Sequence, residues 1–115
     1  METRLEQQLK RGVLEMVVLR LVSEKPAHGY ELILRLRRSA GGQLAVREGT
    51  LYPILYRLED DGFVESRWSE AQGKKVPRKY YAITAEGTCA LSELEALWRE
   101  ICDAAGLIME GDYDE

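Results

Sequence analysis

The sequence lacks any uninterrupted apolar run that approaches the roughly 20 residues of a membrane-spanning helix. Its first residues also lack the hydrophobic segment of a secretory signal peptide. The chain has 115 residues, of which 45% are hydrophobic, so it has room for one modest core. We therefore expect a soluble, cytoplasmic protein without a membrane partner.

Cysteine and histidine are scarce. Cys89 and Cys102 lie 13 positions apart on one predicted helix, which separates them by about 20 Å. A disulfide needs Cα atoms within about 7 Å, so an intrachain disulfide is excluded and both cysteines are expected to be buried apolar residues. The sole histidine, His28, precedes a predicted helix, where a turn or helix cap explains it. Because no metal-ligand spacing or Ser/His/Asp grouping is present, we expect no metal, cofactor or enzymatic activity.

Positive charge is nearly absent from the end of the chain. Residues 84–115 contain one arginine and nine acidic residues, a balance of −8, whereas residues 1–83 contain 15 basic and 11 acidic residues, a balance of +4. The net charge of −4 therefore does not describe the first part of the chain. Phosphate attraction acts within a Debye length of about 8 to 10 Å, so a distant acidic end leaves a basic patch effective. The acidic tail at 110–115 is expected only to solvate the terminus.

Residues 49–62 (GTLYPILYRLEDDG) contain the most informative pattern. Apolar side chains recur at the spacing of one buried helix face: Leu51, Ile54, Leu55 and Leu58. The side chains left on the outer surface are Tyr52, Pro53, Tyr56 and Arg57. We predict that Thr50 is the N-cap of this third helix. Pro53 then falls in the first turn, where its missing donor costs little.

The surrounding segments predict two further helices and a hairpin. The first helix spans residues 5–23, and its second half is apolar on nearly every side, which indicates burial against both its own domain and a partner subunit. The second helix spans 27–39, where Gly29 allows close helix approach, and residues 43–46 form a short strand or an extended link. Strands at 63–69 and 79–83 flank a glycine-containing basic tip, the predicted wing.

The motifs, taken in order, resemble the PadR family of bacterial transcriptional regulators, in its short form with one C-terminal helix. They are HGYEL at 28–32, GTLY at 49–52, RLEDDG at 57–62, and RKYY at 78–81 followed by Gly87. The match spans about residues 10 to 105, and the ordered combination is specific. The resemblance implies a mainly α fold with a small β-hairpin. It divides the chain into a winged helix-turn-helix domain at 1–83, a dimerisation helix at 84–109 and the acidic tail.

The last helix, predicted to begin at the N-cap Thr84, carries a heptad seam: Leu91, Leu94, Trp98, Ile101, Ala105 and Ile108. Little of its own domain remains to cover a seam on a terminal helix, so we expect a homodimer held by this helix and the first helix. The alternative is antiparallel packing of the last helix on the first helix of the same chain.

A homodimer with its third helices about 34 Å apart can reach successive major grooves of a pseudo-palindromic double-stranded DNA operator. Base contacts are expected near the start of that helix, because its other end is acidic. The expected base-contacting residues are Thr50, Tyr52 and Tyr56, and the resemblance supports Thr50 and Tyr52. The expected phosphate contacts are Lys74, Lys75, Arg78 and Lys79 of the wing, with Arg35, Arg38 and Arg57 as additional helpers. Tyr52 and Tyr80 also fit a packing role.

Trp98 matches the register at which multidrug-binding PadR-like repressors place an indole between subunits. The resemblance implies that two indoles sandwich a planar aromatic or apolar small-molecule effector and that binding releases DNA. The alternative is that Trp98 is only dimer core. The resemblance implies repression of a nearby transporter or stress operon, and activation is the alternative. A winged-helix protein-interaction module without DNA binding is the alternative function, and steep salt dependence would distinguish the two.

Overall fold

The structure, a computed structural model, describes residues 3–70 and 76–111. Its elements are α1 (Arg4–Glu24), β1 (Ala27–His28), α2 (Gly29–Arg38), a 3₁₀ turn (Ala40–Gly42), α3 (Glu48–Asp60), β2 (Val64–Trp68), β3 (Lys79–Ile83) and α4 (Ala85–Met109). The mainly helical fold with a small antiparallel sheet confirms the expected fold class. Within the two described ranges, no helix is long and apolar enough to cross a membrane.

The sheet has three antiparallel strands in the order β1-β3-β2. The sequence predicts the β2–β3 hairpin to within one residue at each end, and Ser66 pairs with Tyr81 in its register. The sequence does not predict β1, in which Ala27 pairs with Tyr81 and His28 pairs with Tyr80. The extra strand fixes the start of α2 against the hairpin. Residues 43–46, for which we predict a strand or a link, form a link.

One apolar core lies between the first three helices and the inner face of the sheet. The predicted inner face of α3 is confirmed, because all four of its apolar side chains are buried. The largest fully covered core side chains are Val18, Leu19, Val22, Leu32, Leu36, Leu51, Leu55 and Tyr81. Leu91 of α4 also belongs to this core, at 5% exposure. The prediction that Leu91 lies on an exposed dimer seam is therefore wrong.

The two N-cap predictions have different outcomes. Helix α3 begins at Glu48 with Arg47 as its N-cap, so the prediction of Thr50 as N-cap is wrong. The Arg47 side chain makes no capping hydrogen bond. The earlier start places Pro53 in the second turn, where it cannot donate to the Gly49 carbonyl. Thr84 does cap α4, because its Oγ1 accepts from the backbone N–H of Gly87 at 3.0 Å.

Helix α4 packs on its own chain through its first turns. Gly87 lies so close to the Phe63 carbonyl that a Cβ would not fit, and Leu91 is buried in the core. Glu95 Oε1 lies 3.5 Å from Arg20 Nη1 of α1. The later turns carry exposed apolar side chains, and the molecule is 66 Å long. Packing on α1 of the same chain therefore accounts only for the start of α4.

Both cysteines are free, which confirms the absence of an intrachain disulfide. Cys89 and Cys102 are also exposed in the single chain, so the prediction that they are buried is wrong here. The physical reason is that the described chain places no second layer over the sides of α4 on which they lie.

Candidate nucleic-acid interface

The outer surface of α3 is open. Gly49 and Pro53 are exposed, and Tyr56 is 50% exposed. These residues lie on the side opposite the buried face, as the helical period requires. A Cβ built at Gly49 would meet no atom within 4 Å. The first turns of α3 therefore offer bare backbone to an approaching partner, and Thr50 is exposed beside them.

Tyr52 connects α3 to α2. Its ring stands over Gly29, where an added Cβ would collide with the Tyr52 hydroxyl. Its centroid lies 6.2 Å from the ring centroid of Tyr56. The close helix approach that we predict at Gly29 is confirmed by this contact. Tyr52 is half-buried, so it has the packing role that the sequence also allows. Only its exposed edge is open to an outside partner.

The start of α2 is fixed by His28. The His28 Nδ1 accepts from the Glu31 backbone N–H at 3.3 Å, and a Glu31 carboxylate oxygen accepts from the His28 backbone N–H at 3.4 Å. These reciprocal bonds form a capping box, which confirms the cap explanation for the histidine. The Tyr80 ring meets the imidazole edge-on, with centroids 5.3 Å apart, so Tyr80 packs on this cap.

The base of the wing lies beside α3. Lys79 Nζ is 6.0 Å from the ring centroid of Tyr56 and 5.6 Å from that of Tyr81. The hairpin is closed where the Ser69 N–H donates to the Arg78 carbonyl and the Arg78 N–H donates to Ser69 Oγ, both at 2.8 Å. The Arg78 side chain is exposed. Lys74 and Lys75, which we predict to bind phosphate, lie outside the described residues.

The phenol of Tyr81 contributes no charge to this surface near neutral pH. Burial, together with smaller contributions from charge repulsion by Tyr56, Glu59 and Tyr52, raises the pKa of Tyr81 to about 12. The phenol therefore stays neutral near pH 7. The positive charge at the base of the wing is carried by Lys79, which is held over two aromatic rings, and by the exposed Arg78 side chain.

The predicted arginine helpers differ in their surroundings. Arg57 Nε donates to Glu15 Oε1 at 2.7 Å, which ties α3 to α1. Arg35 is held by Glu24 at 3.3 Å, so its guanidinium faces α1. Arg38 is exposed at the end of α2.

A cleft of about 860 Å³ opens between α1, the α2–α3 connection and the outer flank of α3. The positively charged residues that line it are Arg4, Lys10, Arg11, Arg37, Arg47 and Arg57. No acidic residue is among the described residues that line this cleft. The sequence predicts only Arg57 of this set, because its members come from three helices and no local pattern links them.

A family model described as the PadR-like family of transcriptional regulators matches residues 18–93. The chain belongs to this family. Transcriptional regulator Rv3488 of Mycobacterium tuberculosis is 34% identical to it over 98 residues, which cover 82% of this chain and 87% of that protein. The resemblance inferred from the ordered motifs is thereby confirmed.

Solved PadR-family structures share the fold. A PadR family regulator from Eggerthella lenta superposes with a TM-score of 0.77 at 41% identity, covering 90% of this chain and 87% of that chain. Bacillus subtilis PadR, whose structure contains operator DNA, superposes with a TM-score of 0.64 at 28% identity. That alignment covers 71% of this chain and 46% of the Bacillus chain.

This PadR-like chain carries an uncovered apolar surface on two helices. The exposed large apolar side chains of α4 are Leu94, Leu97, Trp98, Ile101, Leu107, Ile108 and Met109. Leu5 and Leu9 are exposed on α1. Leu94, Trp98, Ile101, Ala105 and Ile108 of the predicted seam are all exposed in the single chain. Leu97 and Leu107 widen the apolar surface beyond the heptad positions.

Proposed function

We propose that the protein is a sequence-specific DNA-binding transcriptional regulator that represses its targets by binding a pseudo-palindromic operator as a homodimer. The observation that carries this proposal is the open outer surface of α3, which lies between Lys79 on one side and a cationic cleft on the other. A helix with an exposed flank and neighbouring cations suits the major groove. The family fold supports the proposal, since Bacillus subtilis PadR has been solved with operator DNA.

The residues divide into two roles. Thr50 and Tyr56 contact base edges from the outer surface of α3, and Tyr52 contributes through its exposed edge. Arg78 and Lys79 at the base of the wing hold phosphates, together with Lys74 and Lys75 from the sequence between the two strands. Arg57 shares its guanidinium with Glu15, so it serves as a weaker phosphate contact.

Residues 84–109 form the dimerisation helix in this proposal. A seam that starts at Leu94 and continues through Ile108 lies uncovered, and a second copy of the chain would bury it. Leu5 and Leu9 of α1 add to the same contact. The symmetry of such a pair, with α3 helices about 34 Å apart, matches successive major grooves.

Trp98 supports a role for a small-molecule effector. Its side chain is 42% exposed in the single chain, and two symmetry-related indoles would form a flat apolar slot for a planar aromatic molecule. Burial in the dimer core is the competing role. We expect aromatic cations to quench or shift the Trp98 fluorescence of a Trp68→Phe variant, which leaves one emitting indole. An unchanged spectrum at millimolar ligand would remove the effector.

Footprinting on DNA upstream of its own and adjacent genes tests the main proposal. We expect a two-fold symmetric protected site, with affinity that falls steeply as salt rises. Tyr56→Ala should weaken binding to that site more than to a scrambled duplex, whereas Tyr56→Phe should retain most of the preference. A protein-interaction module would give neither a protected site nor salt-dependent duplex binding.

A further inference from the structure

The cationic cleft is a further candidate contact surface, beside the wing and the outer surface of α3. We propose that the cleft is a second phosphate-binding surface, which holds a DNA backbone strand along α1 while α3 occupies the major groove. This inference rests on the proposed function. Its partner is double-stranded DNA, recognised by backbone charge and without regard to base sequence.

The cations converge from different helices. Arg4 and Arg11 are seven residues apart on α1, which places them on one helix face. Arg37 comes from the last turn of α2, and Arg47 is the N-cap of α3. The fold therefore gathers charges that are up to 53 positions apart in sequence, from Arg4 to Arg57, around one opening. The concentration of charge is a property of the tertiary structure.

Most of this charge is uncompensated by acidic side chains. Arg11, Arg37 and Arg47 make no ion pair with any residue in 3–70 or 76–111. The Arg4 Nη1 donates to Gln8 Oε1 at 3.2 Å, which leaves its charge unneutralised. Phosphate oxygens would supply the missing acceptors. This positive surface contrasts with the overall charge of −4.

The backbone of α3 adds to the same surface. Gly49 and Thr50 of its first turn line the cleft, and Arg47 leaves the turn without a side-chain cap. The Thr50 N–H donates to the Arg47 carbonyl at 3.0 Å, whereas the earlier amide groups of the turn are free donors and carry the positive end of the helix dipole. The Gly49 backbone and the arginine side chains thus line one opening, and both favour phosphate.

The form of the cleft favours a duplex over a small anion. Its charged residues, apart from Lys10, are exposed at an open rim, whereas a small anion needs donors that enclose it. Duplex DNA offers one charge per about 1.7 Å of axis, which suits several separated cations. The cleft also leaves dimerisation unobstructed, since Leu9 is two positions from Arg11 and lies on the other side of α1.

The test measures duplex binding by fluorescence anisotropy over a series of salt concentrations. The double variant Arg11→Ala/Arg37→Ala should bind specific and scrambled duplexes roughly tenfold more weakly than the wild type. Its slope of log affinity against log salt should be shallower by about 2, because each phosphate contact contributes about 0.9. Arg20→Ala is the matched control, since Arg20 lies nine residues from Arg11 on the opposite side of the same helix and should leave the slope unchanged.

Each outcome has a separate meaning. A double variant that folds as the wild type does and keeps its slope would overturn the cleft proposal while leaving the proposed function intact. A wild type without salt-dependent duplex binding would overturn the proposed function itself. Inorganic phosphate is titrated without DNA at constant ionic strength, with melting temperature as the readout. If phosphate stabilises the wild type but not the double variant, and the duplex slopes agree, the cleft binds a small phosphate and the DNA assignment is overturned.

Discussion

Two glycines of this chain are required by the structure, whereas a third, Gly49, is not. At Gly62 a φ of +80° favours glycine, and at Gly87 the Phe63 carbonyl leaves no room for a Cβ. Gly49 has neither constraint, although glycine in a helix costs about 0.5 to 1 kcal/mol relative to alanine. Its position on the outer surface of α3 suggests that the bare backbone serves close approach of a partner.

Gly49→Ala should therefore have opposite effects on folding and binding. We expect the free energy of unfolding to rise by up to about 1 kcal/mol, because alanine is the better helix former. We expect duplex affinity to fall, because the new methyl group occupies the surface that approaches DNA. Urea denaturation and anisotropy measure the two effects. Equal or higher affinity in the variant would show that DNA does not reach this turn.

At the scale of elements, the contact between α2 and α3 depends on Gly29 and Tyr52. Gly29→Ala should lower the free energy of unfolding by about 1 to 3 kcal/mol, since the methyl group overlaps the tyrosine hydroxyl. Tyr52→Ala removes that obstacle. The double variant should therefore lose less stability than the sum of the single variants, which a double-mutant cycle by urea denaturation measures. Additive losses would contradict a direct contact.

The sequence predicts the elements whose pattern is local. The spacing of Leu51 and Leu58 locates α3, and Thr84 locates the start of α4, because helix faces and caps are encoded within a few residues. The sequence does not predict the true start of α3, because its N-cap, Arg47, makes no side-chain capping hydrogen bond and arginine is not a typical capping residue. The two-residue strand β1 is missed because it exists only through pairing with β3, far along the chain.

The candidate site is less predictable than the fold. The residues on the outer surface of α3 can be predicted from the helical period. The half-burial of Tyr52 cannot, because it depends on how closely α2 packs against α3. The cleft cations come from three helices, so only the folded chain brings Arg11 near Arg47. Local periodicity identifies faces, and tertiary packing decides which faces meet.

At the scale of the whole molecule, the uncovered part of α4 predicts the assembly state. Ile101 is 52% exposed in the single chain, so Ile101→Glu should leave the helical content unchanged while disrupting a dimer seam. Ala96→Glu adds the same charge on the opposite, exposed side of α4 and is the matched control. Sedimentation equilibrium should show a monomer for the first variant and a dimer for the second and for the wild type. A wild type that sediments as a monomer would contradict the assembly.

The 66 Å length of the molecule and the separation of its charges have a kinetic consequence. The last helix and tail hold a balance of −8, and the remainder holds +4, so the protein is an electric dipole as well as an anion. In the field of a polyanion such a body experiences a torque that turns its positive end forward before contact is made. Encounters then begin in a productive orientation more often than free tumbling allows. This advantage fades as added salt shortens the range of the field.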